Sequence, residues 1–214
     1  MTFRDRLDAG RKLAAGLTAY RGQPNTIVVA LPRGGVVVGA EIASTLELPL
    51  DIVVPRKIGA PRNKEYAIGA ITESGEPVWD HQAIALTDAN EEYIEKTVTT
   101  EHAEAKRRLC AYRGDRPSRN LKNKTVILVD DGIATGLTVR AAIQTLRSES
   151  ATRIVLAIPV AAADSIERLR TEVDEVVCLH APTWFDAVGA FYTQFEQVDD
   201  ETVIRLLCGA SRSL

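Results

Sequence analysis

The 214 residues are enough for one domain to bury a large share of its surface in a single core. With 45% apolar and 26% charged residues the chain falls outside the disordered and collagen-like classes, and 5% aromatic content points to a core of Val, Ile, Leu and Ala. A formal net charge of -3 leaves no basic footprint for nucleic acid or an anionic membrane, although it is compatible with a small anionic ligand held by a few local cations. Phe3, Leu7, Leu13 and Leu17 recur near helical spacing, so Thr2 to Tyr20 is expected to form an amphipathic opening helix covering an edge of the core. After the Gly22-Gln23-Pro24 turn come short apolar runs at Thr26 to Leu31, Leu50 to Val54, Thr125 to Val129 and Arg153 to Pro159, each suited to a strand buried on both faces. Helical stretches are expected at Val36 to Leu46, Leu137 to Ser148 and Ala162 to Glu172, with a further strand at Glu175 to Leu179. That alternation predicts an α/β fold with a mostly parallel central sheet flanked by helices.

Between Pro55 and Asn90 the chain turns basic and rich in Gly and Pro, with extended pieces at Ala67 to Thr72 and Pro77 to Trp79, which reads as an excursion or flap. Asp88 to Tyr112 reads as a long, solvated polar helix, and Arg113 to Asn123 as a polar linker back to the sheet. The expected organisation is a single domain over 1–214, with a core at 22–180, an inserted flap at 55–123 and a hood or C-terminal extension at 181–214. Cys110, Cys178 and Cys208 are odd in number and far apart, offer no disulfide framework or metal knuckle, and read as reduced core thiols. His81, His102 and His180 lack metal-ligand spacing. Charges at Met1 to Asp8 and the absence of an apolar run of about 18 residues argue against a signal peptide or membrane span, so the cytoplasm is the expected compartment.

The most informative segment is Val126-Ile-Leu-Val-Asp130-Asp131-Gly-Ile-Ala-Thr135-Gly136-Leu-Thr138, a strand that ends in two carboxylates and a small-residue loop opening a helix. Ligands of open α/β sheets bind at the carboxyl ends of strands, and a helix N-terminus favours phosphate. The acidic pair does not suit that phosphate; it suits ribose hydroxyls, or a metal held through water. No Lys follows Gly136, so an ordinary P-loop is excluded. The segment resembles the phosphoribosyl pyrophosphate (PRPP) signature of type I phosphoribosyltransferases. The resemblance implies that Asp130 and Asp131 hold the ribose hydroxyls, while Ala134, Thr135, Gly136, Leu137 and Thr138 cradle the 5′-phosphate.

A second strand–turn–helix, Val28-Val-Ala-Leu-Pro32-Arg33-Gly34-Gly35-Val36, resembles the family's pyrophosphate loop, with Arg33 as clamp and Gly34 and Gly35 allowing close backbone approach. By itself it also reads as a plain turn or a degraded dinucleotide fingerprint. The basic run Pro55 to Tyr66 resembles the family's closing loop, with Arg56 and Lys57 favoured over Arg62 and Lys64 as leaving-group cations; as residues alone it also reads as a solvated loop. The wider sequence looks like a subgroup of the family with no assigned acceptor. In relatives a hood holds the acceptor base, so Trp184, Phe185 or Tyr192 are candidates to stack on it, with core packing as the alternative role. The enzymes for 6-oxopurines carry an Asp where this chain has Ala134, which argues against hypoxanthine or guanine and leaves the acceptor unassigned.

The resemblance thus implies a Mg²⁺-dependent transferase that moves phosphoribose from PRPP to a nitrogen acceptor, as a homodimer in many relatives. Catalytic cations would be Arg33, Arg56 and Lys57, and the metal would have no direct protein ligand or would meet Asp130 and Asp131 through water. The alternative from a different class is a non-catalytic regulator that senses PRPP or nucleotides on the same fold. A dinucleotide-dependent oxidoreductase at Gly34 to Gly39 is the third reading.

Overall fold

Strand β1 (Thr26–Ala30) is buried at every position, and its neighbours in the sheet show why. The computed structural model describes residues 1–210. Its central sheet has five parallel strands in the order β2 (Leu50–Ile52), β1, β6 (Thr125–Val129), β7 (Arg153–Val160) and β8 (Glu175–His180). The two-residue period of a strand sends alternate side chains to opposite faces. Val28, Ala30, Ile127 and Val129 pack on one side under α1 (Arg6–Gly16), α2 (Gly34–Leu46) and α7 (Asp200–Ala210). Ile27, Val29, Val126 and Leu128 pack on the other under α5 (Leu137–Ser148) and α6 (Ala163–Leu169). Apolar burial on both faces is what makes unbroken Val and Ile runs necessary.

A second, antiparallel sheet joins β3 (Arg56–Gly59), β4 (Ala67–Ile71) and β5 (Pro77–Trp79). One face packs with α3 (His81–Ala85) and α4 (Glu91–Arg113) through Ile58, Ile68, Ile71 and Ala83. From the other, Ala67 and Ala70 meet Leu137 and Ala141 of α5. The expected extended pieces at 67–72 and 77–79 are therefore strands. Residues 56–59, expected in a loop, are also a strand, because Ile58 fills the small core while the flanking charges find acidic partners.

Several other expectations change. The opening helix is shorter than Thr2 to Tyr20: Asp5 caps it, accepting from the Asp8 N–H at 2.7 Å. Phe3 lies before it, in a bridge with Tyr192. The stretch 181–214 contains an unanticipated helix, α7, whose Val203 and Leu207 close the first face of the core. Its last four residues, 211–214, lie outside the described residues. Two of the cysteines are not core thiols, since Cys110 and Cys208 are exposed, while Cys178 is half-buried and packs against the second face of the core. Among the described residues no helix is long and apolar enough to cross a membrane.

Candidate functional site

β1 and β6 lie side by side, with Ala30 opposite Val129, so the loops that leave their carboxyl ends emerge together. From this point the chain winds outward in both directions, β1 to β2 on one side and β6 to β7 on the other. Such a switch in strand order opens a crevice between the two departing loops. Into it the fold brings Arg33, Gly34 and Gly35 from one loop and Asp130 to Gly136 from the other.

The helices that follow both loops start without a side-chain cap. α1 and α4 are capped by Asp5 and Asn90, whereas α2 opens on Gly34 and α5 follows Gly136 with no capping side chain. No side chain takes their first-turn N–H groups, although the Val36 N–H donates to the Arg33 carbonyl at 3.2 Å, and the positive dipole end of such a helix start favours an anion. Gly136 has φ +80, a left-handed conformation that a side chain disfavours. The base of the α5 loop is tied down instead of its rim. The Ile133 N–H donates to the Val160 carbonyl at 2.9 Å, and the Ser165 hydroxyl donates to the Ala134 carbonyl at 2.5 Å. Ala134 and Thr135 stay exposed above that support.

The acidic pair is packed tightly. The Asp131 N–H donates to Asp130 Oδ1 at 2.8 Å, and Asp131 Oδ2 accepts from Arg6 Nε at 2.7 Å. Burial first, then the charge of Asp131, pushes the Asp130 carboxyl well above the ordinary carboxylate range. Behind the pair, the Tyr192 hydroxyl donates to the Asp131 carbonyl at 2.6 Å, and burial raises its phenol pKa. Gly34 faces Asp131 so closely that a Cβ there would fall inside the radius of Oδ2, and at Gly35 it would lie 2.9 Å from the Asp130 Cα. Gly34→Ala is therefore expected to displace the Asp131 carboxylate. Should the pair bind PRPP, calorimetry should show affinity reduced about tenfold or more, about 1.4 kcal/mol; an unchanged affinity would mean that the position of Asp131 does not matter.

The three candidate cations go to different places. Strand alternation sends Arg56 and Lys57 to opposite faces of β3. Arg56 pairs with Glu101 of α4 at 2.7 Å. Lys57 lines a cavity of about 240 Å³ with Gly132 to Val139, Ala67 and Val188, and its ammonium meets Glu65 at 2.8 Å, lowering that carboxyl's pKa. Arg33 stands 3.5 Å from Asp200 on α7. Thus Lys57 and the 132–138 loop share one cavity, while Arg33 and Arg56 are engaged by carboxylates of neighbouring helices. Of the aromatic candidates, Phe185 stacks on Phe191 at 5.2 Å and Tyr192 is buried beside Phe3. Trp184 is 92% exposed. Sequence reasoning does not single out Arg6, because its partner lies 125 residues away and no local pattern marks the pair.

The family model described as the phosphoribosyl transferase domain matches residues 3–196. Proteins of Mycobacterium tuberculosis strains CDC 1551 and H37Rv, named provisionally as phosphoribosyl transferases, are each 40% identical over 210 residues, covering 98% of this chain and 47% of theirs. The chain therefore spans about half the length of the curated relatives it matches. The crystal structure of TT1426 from Thermus thermophilus is 42% identical with a TM-score of 0.79, over 98% of this chain and 99% of that one. A family match over nearly the whole described chain, on the parallel sheet and switch-point loops set out above, places this protein in the phosphoribosyl transferase domain family with the type I fold.

Proposed function

We propose that the site binds PRPP and transfers its phosphoribosyl group to a nitrogen acceptor, releasing pyrophosphate. The observation that carries this reading is the convergence at the β1/β6 switch point of an acidic pair, an uncapped helix N-terminus and a glycine turn. In it, Asp130 and Asp131 accept hydrogen bonds from the ribose 2′- and 3′-hydroxyls, and the N–H groups and hydroxyls of 134–138 take the 5′-phosphate. The Gly34–Gly35 turn lets the pyrophosphate approach the α2 terminus. Lys57, facing the phosphate loop, supplies positive charge near the leaving group; Arg33 and Arg56 join it only by leaving Asp200 and Glu101.

In the reaction the bond between ribose C1 and the pyrophosphate oxygen breaks, its electron pair leaving with pyrophosphate. The acceptor nitrogen forms the new bond to C1 and gives its proton to solvent. The sugar develops oxocarbenium character, as in glycoside hydrolysis, and no protein nucleophile is needed. Positioning and charge do the catalysis.

Magnesium fits this donor set as an ion carried by the substrate. Among the described residues no group of three His, Cys, Asp or Glu side chains could cage a metal, and one Asp131 oxygen is already taken by Arg6. Asp130 and Asp131 would hold it through water, where it would neutralise charge on the ribose and pyrophosphate oxygens.

The test is calorimetry of PRPP with and without Mg²⁺, followed by pyrophosphate release in the presence of pooled purine, pyrimidine and other nitrogen bases. Mg²⁺-dependent binding with release from one pool is the expected result. Binding with no release from any pool would favour the regulator; no binding would remove the reading.

A further inference from the structure

We propose that Arg6, in the first turn of α1, is a positioning residue that fixes the Asp131 carboxylate for contact with the sugar, an inference resting on the PRPP reading above. Three contacts hold its guanidinium. Nε donates to Asp131 Oδ2 at 2.7 Å, an Nη donates to the Glu196 carbonyl at 2.8 Å, and the planar group lies 3.8 Å from the Phe195 ring centroid. Its side chain is 11% exposed and that of Asp131 15%, so water screens the pair little. An arginine used this way is a planar fork with one face on an aromatic ring, not a mobile surface charge.

Asp131 is clamped from its other sides as well. Its carboxylate occupies the space that a side chain on Gly34 would need, and an added Cβ there would also lie 2.8 Å from Arg6 Nε. The Asp131 carbonyl is held by Tyr192 and its N–H by Asp130. Arg6 therefore completes a set of contacts that immobilise this one residue, and its hydrogen bond is the one made to the carboxylate itself. A mere staple between α1 and the sheet would not need to end on a carboxylate of the candidate site. Two adjacent carboxyl groups crowd one rim, and a cation on one offsets part of their repulsion and fixes where that one points. By engaging Oδ2, Arg6 leaves Oδ1 to accept a ribose hydroxyl from a carboxylate already oriented, which removes part of the ordering cost of binding.

The same contacts join the site to the C-terminal segment. Glu196 and Phe195 follow Tyr192, whose ring packs on Phe3 and Phe195. Beyond Arg6 a cavity of about 440 Å³, lined by Asp5, Val37, Gln194 and Thr202, gives water room to replace a shortened side chain. Truncation should therefore disturb the site more than the fold.

The experiment compares wild type, R6Q and R6K by calorimetry with Mg·PRPP, and with ribose 5-phosphate and inorganic pyrophosphate as partial probes. The crystal structure of R6Q and the urea unfolding midpoints complete it. We expect R6Q to bind PRPP and ribose 5-phosphate about tenfold more weakly or worse, with pyrophosphate affinity unchanged, and the lost ion pair to lower the midpoint while leaving the chain folded under the binding conditions. R6K, which keeps the charge but not the fork, should recover part of the loss. In the R6Q crystal the Asp131 carboxylate should have turned away from Gly34. Equal losses for all three ligands would reduce Arg6 to a structural staple, and no loss would overturn the inference. Failure of wild type to bind PRPP or ribose 5-phosphate would instead overturn the proposed function. The R6Q crystal then decides the positioning role alone: an unmoved Asp131 overturns it.

Discussion

Replacing Asp130 and Asp131 together by Asn is expected to weaken PRPP binding by about 10²- to 10⁴-fold, taking ~1.5–3 kcal/mol for each hydrogen bond to a charged group. An amide keeps the size of the carboxyl group but accepts through one neutral oxygen, so the contacts proposed to the ribose hydroxyls are weakened. Loss of fold is an unsatisfactory explanation for such a result, because linkage points the other way. Burial holds the Asp130 carboxyl above the ordinary carboxylate range, so a proton is bound more tightly by the folded chain than by the unfolded one. Stability from this group is full below the ordinary carboxylate pKa and falls as pH rises toward the raised value. Asp130→Asn lacks that slope and should be at least as stable as wild type at neutral pH. In the double variant, loss of the Arg6 ion pair to Asp131 offsets part of the gain. Calorimetry for affinity and urea unfolding across pH 4 to 7 separate the two effects. Undiminished PRPP affinity would remove the acidic pair from the site.

The parts legible from sequence are those with short-range causes. Val126 to Val129 needed apolar side chains on both faces, so the run itself marked an interior strand, and the two Asp residues at its end stood out against it. Gly136 and the following α5 were equally plain, since a small-residue loop before a periodic run is a local signal. β3 was hidden because Arg56 and Lys57 look like loop residues until Glu101 and Glu65 are brought alongside. The spacing of Val203 and Leu207, four residues apart, did carry a helical signal for α7, though only the core they close makes it decisive. Arg6 had no such signal. Its role depends on a partner placed by the register of the whole sheet, as do the engagement of Arg33 by Asp200 and the exposure of Cys110.

Arg119 shows the same limit in the stretch expected to be a polar linker, and its loss should cost the fold most. Arg119→Ala is expected to destabilise the chain by about 3 kcal/mol, the low end for breaking a buried ion pair because the Glu149 side chain is 32% exposed. The Arg119 side chain is 2% exposed. It donates to Glu149 at 2.6 and 2.7 Å, to Glu73 at 2.9 and 3.2 Å, and to the Ile52 carbonyl at 2.5 Å. Glu73 in turn accepts the Val54 N–H at 2.7 Å. One guanidinium thus joins the end of β2, the turn after β4 and the end of α5, so the small sheet bearing Lys57 is anchored to the large one through it. Burial already raises the Glu149 carboxyl pKa against the pull of Arg119. Removing the cation takes away the interaction that holds the Glu149 carboxyl down against its burial, so Glu149 should bind a proton more readily in the folded chain. The penalty of the substitution should therefore be largest at neutral pH and shrink as pH falls and Glu149 protonates. Arg119→Lys should lie between, since an ammonium restores charge but cannot make five hydrogen bonds in a plane. Urea unfolding at pH 7 and pH 5 measures both effects. A loss under about 1 kcal/mol at pH 7, the size of a surface pair, would mean that the two sheets are joined by apolar packing alone.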